Sequence, residues 1–563
     1  MSLMTSLRHF LRRVRHDGPQ CIPGVVYARW MTLIHRDILR REAARRAQEN
    51  EAYQTWLRQH EQPLPAPLCT DRTLSILIPT YNTRPDLLQA LANSLLSQSC
   101  PNWEACIYDG ASTHADTRGV LTDLAARDPR FRVQLGTANL GISGNTNAAF
   151  AMAAGAVIAL CDHDDLLAPD AVRCILEAAE NGADFIYTDE DKVSEDGTHF
   201  FEPHLKADFA PDTLRAGNYI CHITAMTREL AEALVRTDGS LLRSEYDGSQ
   251  DHDLALRATE RAQHIVHIPR ILYHWRMLDG SFSHQRAEKC ALAAATAVTK
   301  QLKRLNIPAK VSMEALRTRI WYSCPEASVT AIVVGEGRIP PVPGEVIRVT
   351  DASWLNNAAR RASGEYLLFL HGGMKLLEKP SKYAWLHGRY AWLHEMLMYA
   401  ARRDVGCVGS AILDHQRFYR HAGYAVNVPG GAVSHHAEQW LYGHPYMITD
   451  RLVRNVTGVS SALMIIRRET FLQMGGFGEY ESDLRGADLG LKCLQAGLIN
   501  VYTPHARMVC RGHLPCLTAP APESDLLRFR STWGEHPLER YYSPLFTRDG
   551  QITVDVTHQE TEK

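Results

Sequence analysis

Long apolar runs are what this sequence most plainly lacks. None of its 563 residues falls in a stretch of 18 or more consecutive apolar side chains, so no helix is expected to span a bilayer. The longest run, Ala148–Cys161, has 14 residues, is rich in small side chains, and reads as a buried helix end followed by a buried strand. A secretory start is missing too: no basic head, apolar run and cleavage site follow one another at the N-terminus. The 13 cysteines form no Cys-x-x-Cys pair, and their number is odd. That argues against a zinc site or a disulfide framework and for a reducing, cytoplasmic location. Net charge is nearly absent, with 61 basic against 63 acidic residues, so no nucleic acid is expected as a partner.

What is present fits two or three globular domains, with a hydrophobic content of 45%. Residues 1–70 are expected to be a basic helical segment and linker. Leu3, Leu7, Phe10, Leu11 and Val14 recur at spacings of three and four, while Arg8, Arg12, Arg13 and Arg15 take the other sides. Up to Arg46 there are ten arginines, no lysine and three acids; Pro63–Pro67 is a linker. Such a helix either packs on its own protein with a solvated basic face or, through residues 1–16, makes peripheral contact with an anionic membrane at its cytoplasmic side. Both readings stay open here.

From Leu74 strands alternate with helices. LSILIP, WEACIYD, FRVQL and AVIALCD read as strands, with helical stretches at 86–98, 119–126 and 145–154. This alternation predicts an α/β domain with a mostly parallel sheet over residues 71–305. Three strands end in polar residues: Pro79-Thr80-Tyr81-Asn82, Asp109 and Asp162. Ligands of open α/β sheets sit at the carboxyl ends of strands, so these three ends are expected to share one site.

After a connector (306–327), residues 328–530 repeat the first domain in degenerate form. Asn147 lies eight residues before Gly155, and Gly155 seven before Asp162; Asn356, Gly364 and His371 keep the same spacings. In the repeat, His371, Gly372 and Gly373 stand at Asp162, His163 and Asp164. Matching GSQDHDLALR to DLRGADLGLK puts Gly486 at Asp251 and Asp488 at Asp253, and Val509 takes the place of His274. A second domain of the same fold without catalysis is therefore expected, then a tail, 531–563. The tandem YAWLHGRYAWLH (383–394) has no functional explanation.

Asp162 and Asp164 follow a buried strand, two residues apart, where a turn can aim both at one cation. Carboxylate and water ligands suit Mg²⁺ or Mn²⁺, which hold a substrate diphosphate. The plain alternative is an acidic loop capping the helix that starts near Pro169. The surrounding segments are SILIPTYN (75–82), YDGAS (108–112), NLGISGNTNAA (139–149), ALCDHDD (159–165), YTDEDKV (187–193), GSQDHDLALR (248–257) and HIPRILYHWR (267–276). In order and spacing they resemble glycosyltransferase family 2, inverting nucleotide-sugar transferases of GT-A fold. The run from TDEDK to LYHWR resembles the subgroup of O-antigen and other bacterial surface-polysaccharide assembly.

The resemblance implies roles. Pro79, Thr80 and Tyr81 would border the nucleoside, and Asp109 would accept from a pyrimidine N–H. The family often has a second acid next, where Gly110 stands here. Asp162 would lie near the ribose, Asp164 would bind the metal with Asp165 in support, and His274 would add a metal ligand; its plain alternative is a satisfied histidine at a strand end. Asp251 would be the general base, taking the acceptor hydroxyl's proton. Asp253, two residues on in a helix, faces elsewhere. Asp189, Glu190 and Lys192 are expected to face sugar or acceptor, with His222 and Trp275 as weaker acceptor-side residues. Ser249 is the expected helix N-cap. His264 and His267 sit on a strand without a third ligand and read as structural.

The expected activity is thus metal-dependent transfer of a hexosyl or deoxyhexosyl group from a UDP- or dTDP-sugar, with Mn²⁺ or Mg²⁺, to a growing or lipid-linked surface glycan. A sugar-1-phosphate nucleotidyltransferase would need a glycine-rich basic loop after the first strand, and PTYNTRPD has no glycine. An aspartate-nucleophile phosphatase would carry its acidic motif at the first strand, not a late one. A non-catalytic glycan-binding scaffold of the same fold is the rival from another class, and the full acidic set of the first domain argues against it.

Overall fold

The computed structural model describes residues 36–61, 64, 68, 70–278, 287–377, 388–443, 446–510, 517, 519–550 and 552–556. The basic helix expected at residues 1–16 and the first YAWLH copy lie outside them. The chain divides into two compact units, one built on residues 49–320 and the other on 321–542, with short pieces of the C-terminal tail in each.

The first unit begins within helix α1 (Arg36–His60), and the division at Gln48/Glu49 runs through it. The second half of the helix belongs to the folded body. Tyr53, Trp56 and Leu57 are buried, and Leu64 and Leu68 pack against the core. The described end of the expected segment 1–70 is therefore part of the folded body, and its buried contacts come from neutral residues that the basic sequence pattern hides.

The sheet is built from β1 (Leu74–Thr80), β2 (Trp103–Asp109), β3 (Phe131–Leu135), β4 (Val157–Leu160), β5 (Leu166–Leu167), β6 (Phe185–Val193), β7 (Phe200–His204), β8 (Thr224–Thr227) and β9 (Ile265–Arg276). Its spatial order is β3-β2-β1-β4-β8-β6-β9-β5, with β7 beside β6. Strands β1 to β4 pair in parallel. β8 runs antiparallel to both β4 and β6, so β6 and its parallel neighbour β9 share the direction of β1. Six of the nine strands therefore point one way, as the alternating pattern implied. Every residue of β1 is buried, as expected for a strand covered on both faces.

Helices α2 (Pro85–Leu96), α3 (Ala115–Arg127), α4 (Gly141–Met152) and α5 (Ala171–Glu180) connect these strands. In α2, Leu87, Leu88, Leu91, Ala92 and Leu95 form the buried face, and Pro85 opens the helix where its missing N–H costs nothing. Helices α6 (Pro211–Ala216), α7 (Arg228–Leu234), α8 (Gln250–Thr259) and α9 (Ala287–Arg304) complete the unit. A two-stranded sheet, β10 (Ala309–Glu314) and β11 (Arg317–Tyr322), occupies the expected connector.

The second unit carries β12 (Val329–Val334), β13 (Glu345–Val349), β14 (Tyr366–His371), β15 (Met374–Leu376), β16 (Val405–Leu413), β17 (Tyr419–His421), β18 (Tyr424–Val426), β19 (Ala432–Ser434), β20 (Arg454–Val456), β21 (Leu463–Arg467) and β22 (Ile499–Cys510). Its main sheet has the order β13-β12-β14-β21-β16-β22-β15, the first sheet's order without a counterpart of β3. The match extends to side chains. In the first unit Ser75 Oγ accepts from the Gly155 N–H and donates to Glu104; in the second, Thr330 Oγ1 accepts from the Gly364 N–H and donates to Glu345. Asn147 clamps the backbone of Leu241 and Leu242, as Asn356 clamps that of Phe477. A Cβ on Gly155 would run into Thr73 O and one on Gly364 into Thr330, so both copies need glycine for the same close approach. Helices α10 (Leu355–Arg361), α11 (Ala391–Ala400), α12 (Arg468–Gln473), α13 (Leu484–Gln495) and α14 (Glu523–Trp533) belong to this unit.

Candidate active site

In the first unit the carboxyl ends of β1, β2 and β4 gather as expected, and β9 and α8 supply the far side. β4 stops at Leu160, and Cys161–Asp165 form a turn that leads back into β5. Asp165 is buried there, its Oδ2 accepting from Tyr273 Oη at 2.6 Å and its Oδ1 from the Arg276 N–H at 2.7 Å. The Asp162 N–H donates to Tyr273 Oη at 3.1 Å, while the Asp162 side chain keeps 42% of its surface exposed. His222 stacks on Tyr273, ring centroids 4.9 Å apart, with Nε2 4.0 Å from Asp162 Oδ2.

Ligand atoms of Asp162, Asp165 and His222 all lie within 4.8 Å of one another. Burial pushes the carboxyl of Asp165 well above the usual range, and Asp164 and Asp162 push it further. Asp162 is also raised, by burial first; His222 holds it back, and Asp164 and Asp251 add to the rise. Crowded carboxylates of this kind favour a cation. Two oxygens and an imidazole nitrogen suit Mn²⁺, whereas Mg²⁺ prefers oxygen alone. The residues fit a divalent metal.

The expected metal ligands Asp164 and His274 are not the residues that converge here. Asp164 is in the loop, but its carboxylate is outside the convergent set; its backbone oxygen accepts from Arg276 Nε at 2.7 Å. His274 is a correction. Alternation along β9 sends Tyr273 and Trp275 toward the site and His274 to the other face. There its Nδ1 meets Asp191 Oδ1 at 2.6 Å and its Nε2 meets Glu61 Oε1 at 2.9 Å, with Phe200 against the ring. Burial lowers its pKa, but Asp191 and Glu61 outweigh that and raise it to about 10. An imidazolium between two carboxylates has no lone pair for a metal. The histidine at the acidic loop is His222.

The TDEDK segment is a second correction. Asp189 is fully buried, its Oδ1 shared by His267 Nε2 at 2.8 Å and the Lys206 N–H at 2.7 Å. Against the pull of burial, Asp189 and Asp208 raise His267 to about 9. Glu190 meets His204 Nδ1 at 3.1 Å, Lys206 Nζ at 3.2 Å and the His222 N–H at 2.8 Å. Burial would raise it, yet Lys206 and His204 hold it at about 2. Lys192 pairs with Glu202 on β7. Asp189 and Glu190 thus face protein partners instead of sugar, and Glu190 acts by fixing the backbone that presents His222.

Of the residues expected to border a nucleoside, Pro79 and Thr80 are buried at the end of β1, and Tyr81 is 44% exposed. Asp109 is closed to solvent: Thr80 Oγ1 donates to it at 3.2 Å, the Ser112 N–H at 2.8 Å and Ser112 Oγ at 2.5 Å. In this structure it braces the turn after β2. A Cβ on Gly110 would lie 2.5 Å from Asn145 Nδ2, so that amide occupies the room a second acid would need.

Asp251 sits in the first turn of α8, half-buried, its Oδ2 accepting from Asn218 Nδ2 at 2.8 Å. Asp253 is fully buried and paired with Arg257 at 2.8 Å and Arg243 at 3.8 Å, which leaves Asp251 as the reachable carboxylate. Ser249 stands at the N-cap of α8 as expected, but its side chain makes no capping bond; its hydroxyl lies within reach of Gly248 O and Cys290 O instead. Trp275 is half-buried, its ring 6.1 Å from that of His222. Sequence reasoning passed over Tyr273, Arg276 and Asn218; the alternation in LYHWR was the available signal for Tyr273 alone, since it places Arg276 on the face of His274.

In the second unit, a Cβ on Gly486 would run into Val459 O, so backbone fills the space of the base; at the loop, a Cβ on Gly372, at the place of His163, would run into Glu336 O, and Gly373 stands in open space without a carboxylate. Asp488 keeps the structural role of Asp253, pairing with Lys492 at 2.7 Å.

Residues 75–235 match the family model for glycosyl transferase family 2. Uncharacterized protein y4gI of Sinorhizobium fredii is 33% identical over 505 residues, 78% of this chain and 54% of that protein. O-antigen biosynthesis protein RfbC of Myxococcus xanthus is 28% identical over 542 residues, 84% of this chain and 40% of that protein. Putative teichuronic acid biosynthesis glycosyltransferase TuaG of Bacillus subtilis is 33% identical over 142 residues, 25% of this chain and 54% of that protein. The chain spans about half of these relatives or less.

Proposed function

We propose, from the match of residues 75–235 to the family model for glycosyl transferase family 2, that the first unit is a GT-A unit that moves a sugar from a nucleotide-sugar donor to a surface glycan with inversion. The observation that carries this reading is the convergence of Asp162, Asp165 and His222 at the end of β4. These three residues would hold Mn²⁺ or Mg²⁺, and a metal bound there would neutralise charge on the departing diphosphate. Thr80 and Tyr81 border the base, and Asp162 faces the ribose side. Asn218 orients Asp251 through Oδ2, leaving Oδ1 to take the acceptor hydroxyl's proton as that oxygen attacks the anomeric carbon. The names of RfbC and TuaG support a bacterial surface polysaccharide as the product. The group moved, in this reading, is a hexosyl or deoxyhexosyl group from a UDP- or dTDP-sugar. The second unit keeps the fold without catalysis and serves to position a long acceptor. Among the described residues no helix is long and apolar enough to cross a membrane, and residues 1–16 supply peripheral contact with anionic lipid.

The test is a nucleotide-sugar panel scored by released nucleoside diphosphate with Mn²⁺, Mg²⁺ or a chelator. Release from at least one donor, lost on chelation, is expected. No release from any donor, with weak and metal-independent UDP binding, would leave the glycan-binding scaffold as the better reading.

A further inference from the structure

Arg276 and Tyr273 make four hydrogen bonds to the acidic loop. Tyr273 Oη donates to Asp165 Oδ2 at 2.6 Å and accepts the Asp162 N–H at 3.1 Å, so one hydroxyl joins the first and last acids of the motif. The Arg276 N–H donates to Asp165 Oδ1 at 2.7 Å, and its Nε donates to Asp164 O at 2.7 Å. Both oxygens of Asp165 are thereby taken from β9, which fixes the plane of its carboxylate.

The far end of Arg276 reaches a second loop. Nη1 donates to Glu195 O at 2.8 Å and to Ser194 O at 3.4 Å in the turn between β6 and β7. That turn closes at Gly197, whose φ of +76° suits glycine, and a Cβ there would stand 3.1 Å from Nη1. Arg276 is 4% exposed, and its Nη2 is buried without a partner. A buried guanidinium with one nitrogen left over is held for the geometry of the other contacts. A planar fork can serve two loops at once, and a lysine ammonium, a point charge on a flexible stem, cannot.

We propose that Tyr273 and Arg276 are positioning residues that set the acidic loop in its cation-binding shape, with the Ser194–Gly197 turn as the outer anchor of the clasp. Neither side chain is among the convergent ligands; each acts through Asp162, Asp164 or Asp165. Tyr273 also backs the ring of His222, so it aligns both halves of the ligand set. The inference rests on the proposed donor site for its effect on activity, while the clasp itself is read from the loop.

The experiment compares the full chain with Tyr273→Phe, Arg276→Lys and Arg276→Met. Amide hydrogen exchange across residues 161–166 should rise at least tenfold in each, while β1 and β2 exchange as in wild type. Titration of Mn²⁺ with UDP, followed by calorimetry, should show apparent Mn²⁺ affinity at least tenfold weaker. In turnover assays the donor KM should rise more than kcat falls for Tyr273→Phe. Unchanged exchange at 161–166 in Tyr273→Phe and Arg276→Lys would overturn the clasp. Wild type that shows no Mn²⁺-dependent UDP binding would instead overturn the donor-site reading, and the exchange data would still decide the clasp. Arg276→Lys behaving as wild type while Arg276→Met does not would refute the need for the fork.

Discussion

Replacing two carboxylates two residues apart should give opposite phenotypes. Asp251→Asn keeps the shape of the side chain, and its carbonyl oxygen can still accept from Asn218 Nδ2, now 2.8 Å from Asp251 Oδ2. What it loses is the carboxylate oxygen proposed as the proton acceptor. Turnover should fall by about 10²–10⁴-fold, as for loss of a general base, with donor affinity and thermal stability unchanged. Asp253→Asn removes a charge that is 0% exposed and leaves the guanidinium of Arg257, 2.8 Å away, and that of Arg243 without their carboxylate. Breaking one side of a buried pair costs about 3 kcal/mol. For a unit of 272 residues, spanning 49–320, an unfolding entropy of about 2.1 cal/mol/K per residue turns that into a fall in Tm of about 5 °C. Released nucleoside diphosphate and differential scanning calorimetry on both variants read the two effects separately. The reasoning is refuted if Asp253→Asn loses turnover at an unchanged Tm, or if Asp251→Asn is active within tenfold of wild type.

Other outcomes rest on the same geometry. His222→Ala should weaken Mn²⁺-dependent UDP binding at least tenfold, whereas His274→Gln should leave Mn²⁺ affinity unchanged in whatever fraction stays folded; the reverse pattern would restore His274 as the ligand. His274 binds a proton up to about pH 10 in the folded chain against 6.5 in the unfolded one, held by Asp191 and Glu61. Its stabilisation is therefore complete below pH 6.5 and lost as pH rises toward 10, by up to about 1.4 kcal/mol per pH unit. Burial raises Asp191 and offsets part of this, and denaturant melts of wild type and Glu61→Gln at pH 7 and 9.5 should converge at the higher pH. In the second unit Gly486→Asp should not create a transferase activity and should lower Tm, because its Cβ meets Val459 O; transfer that survives Asp162→Ala in the full chain would show a second centre. Removing residues 1–16 should release the protein from anionic vesicles in a flotation assay while soluble-acceptor turnover persists, and salt-insensitive binding would remove the electrostatic explanation.

Much of the plan was legible in the chain. Strand–helix alternation from Leu74 implied the shared strand direction, and the spacing Asn147–Gly155–Asp162 against Asn356–Gly364–His371 exposed the repeat, because those glycines and asparagines answer to local backbone contacts that both copies preserve. Helical periodicity separated Asp251 from Asp253, and the want of a third ligand marked His267 as structural. Other assignments could not be read in one dimension. Alternation says that Tyr273 and His274 face opposite ways, but not which of them faces the acidic loop. That depends on how β9 lies against β5 and β6 and on Glu61 arriving from the end of α1. The acids of TDEDK look like a site in sequence and are neutralised in space, since His204, Lys206 and His267 come from other stretches of chain. Local spacing determined the elements, the repeat and which side chains share a face. Only tertiary packing decided which face meets the site, because a buried charge takes its role from partners that the fold brings to it from far along the chain.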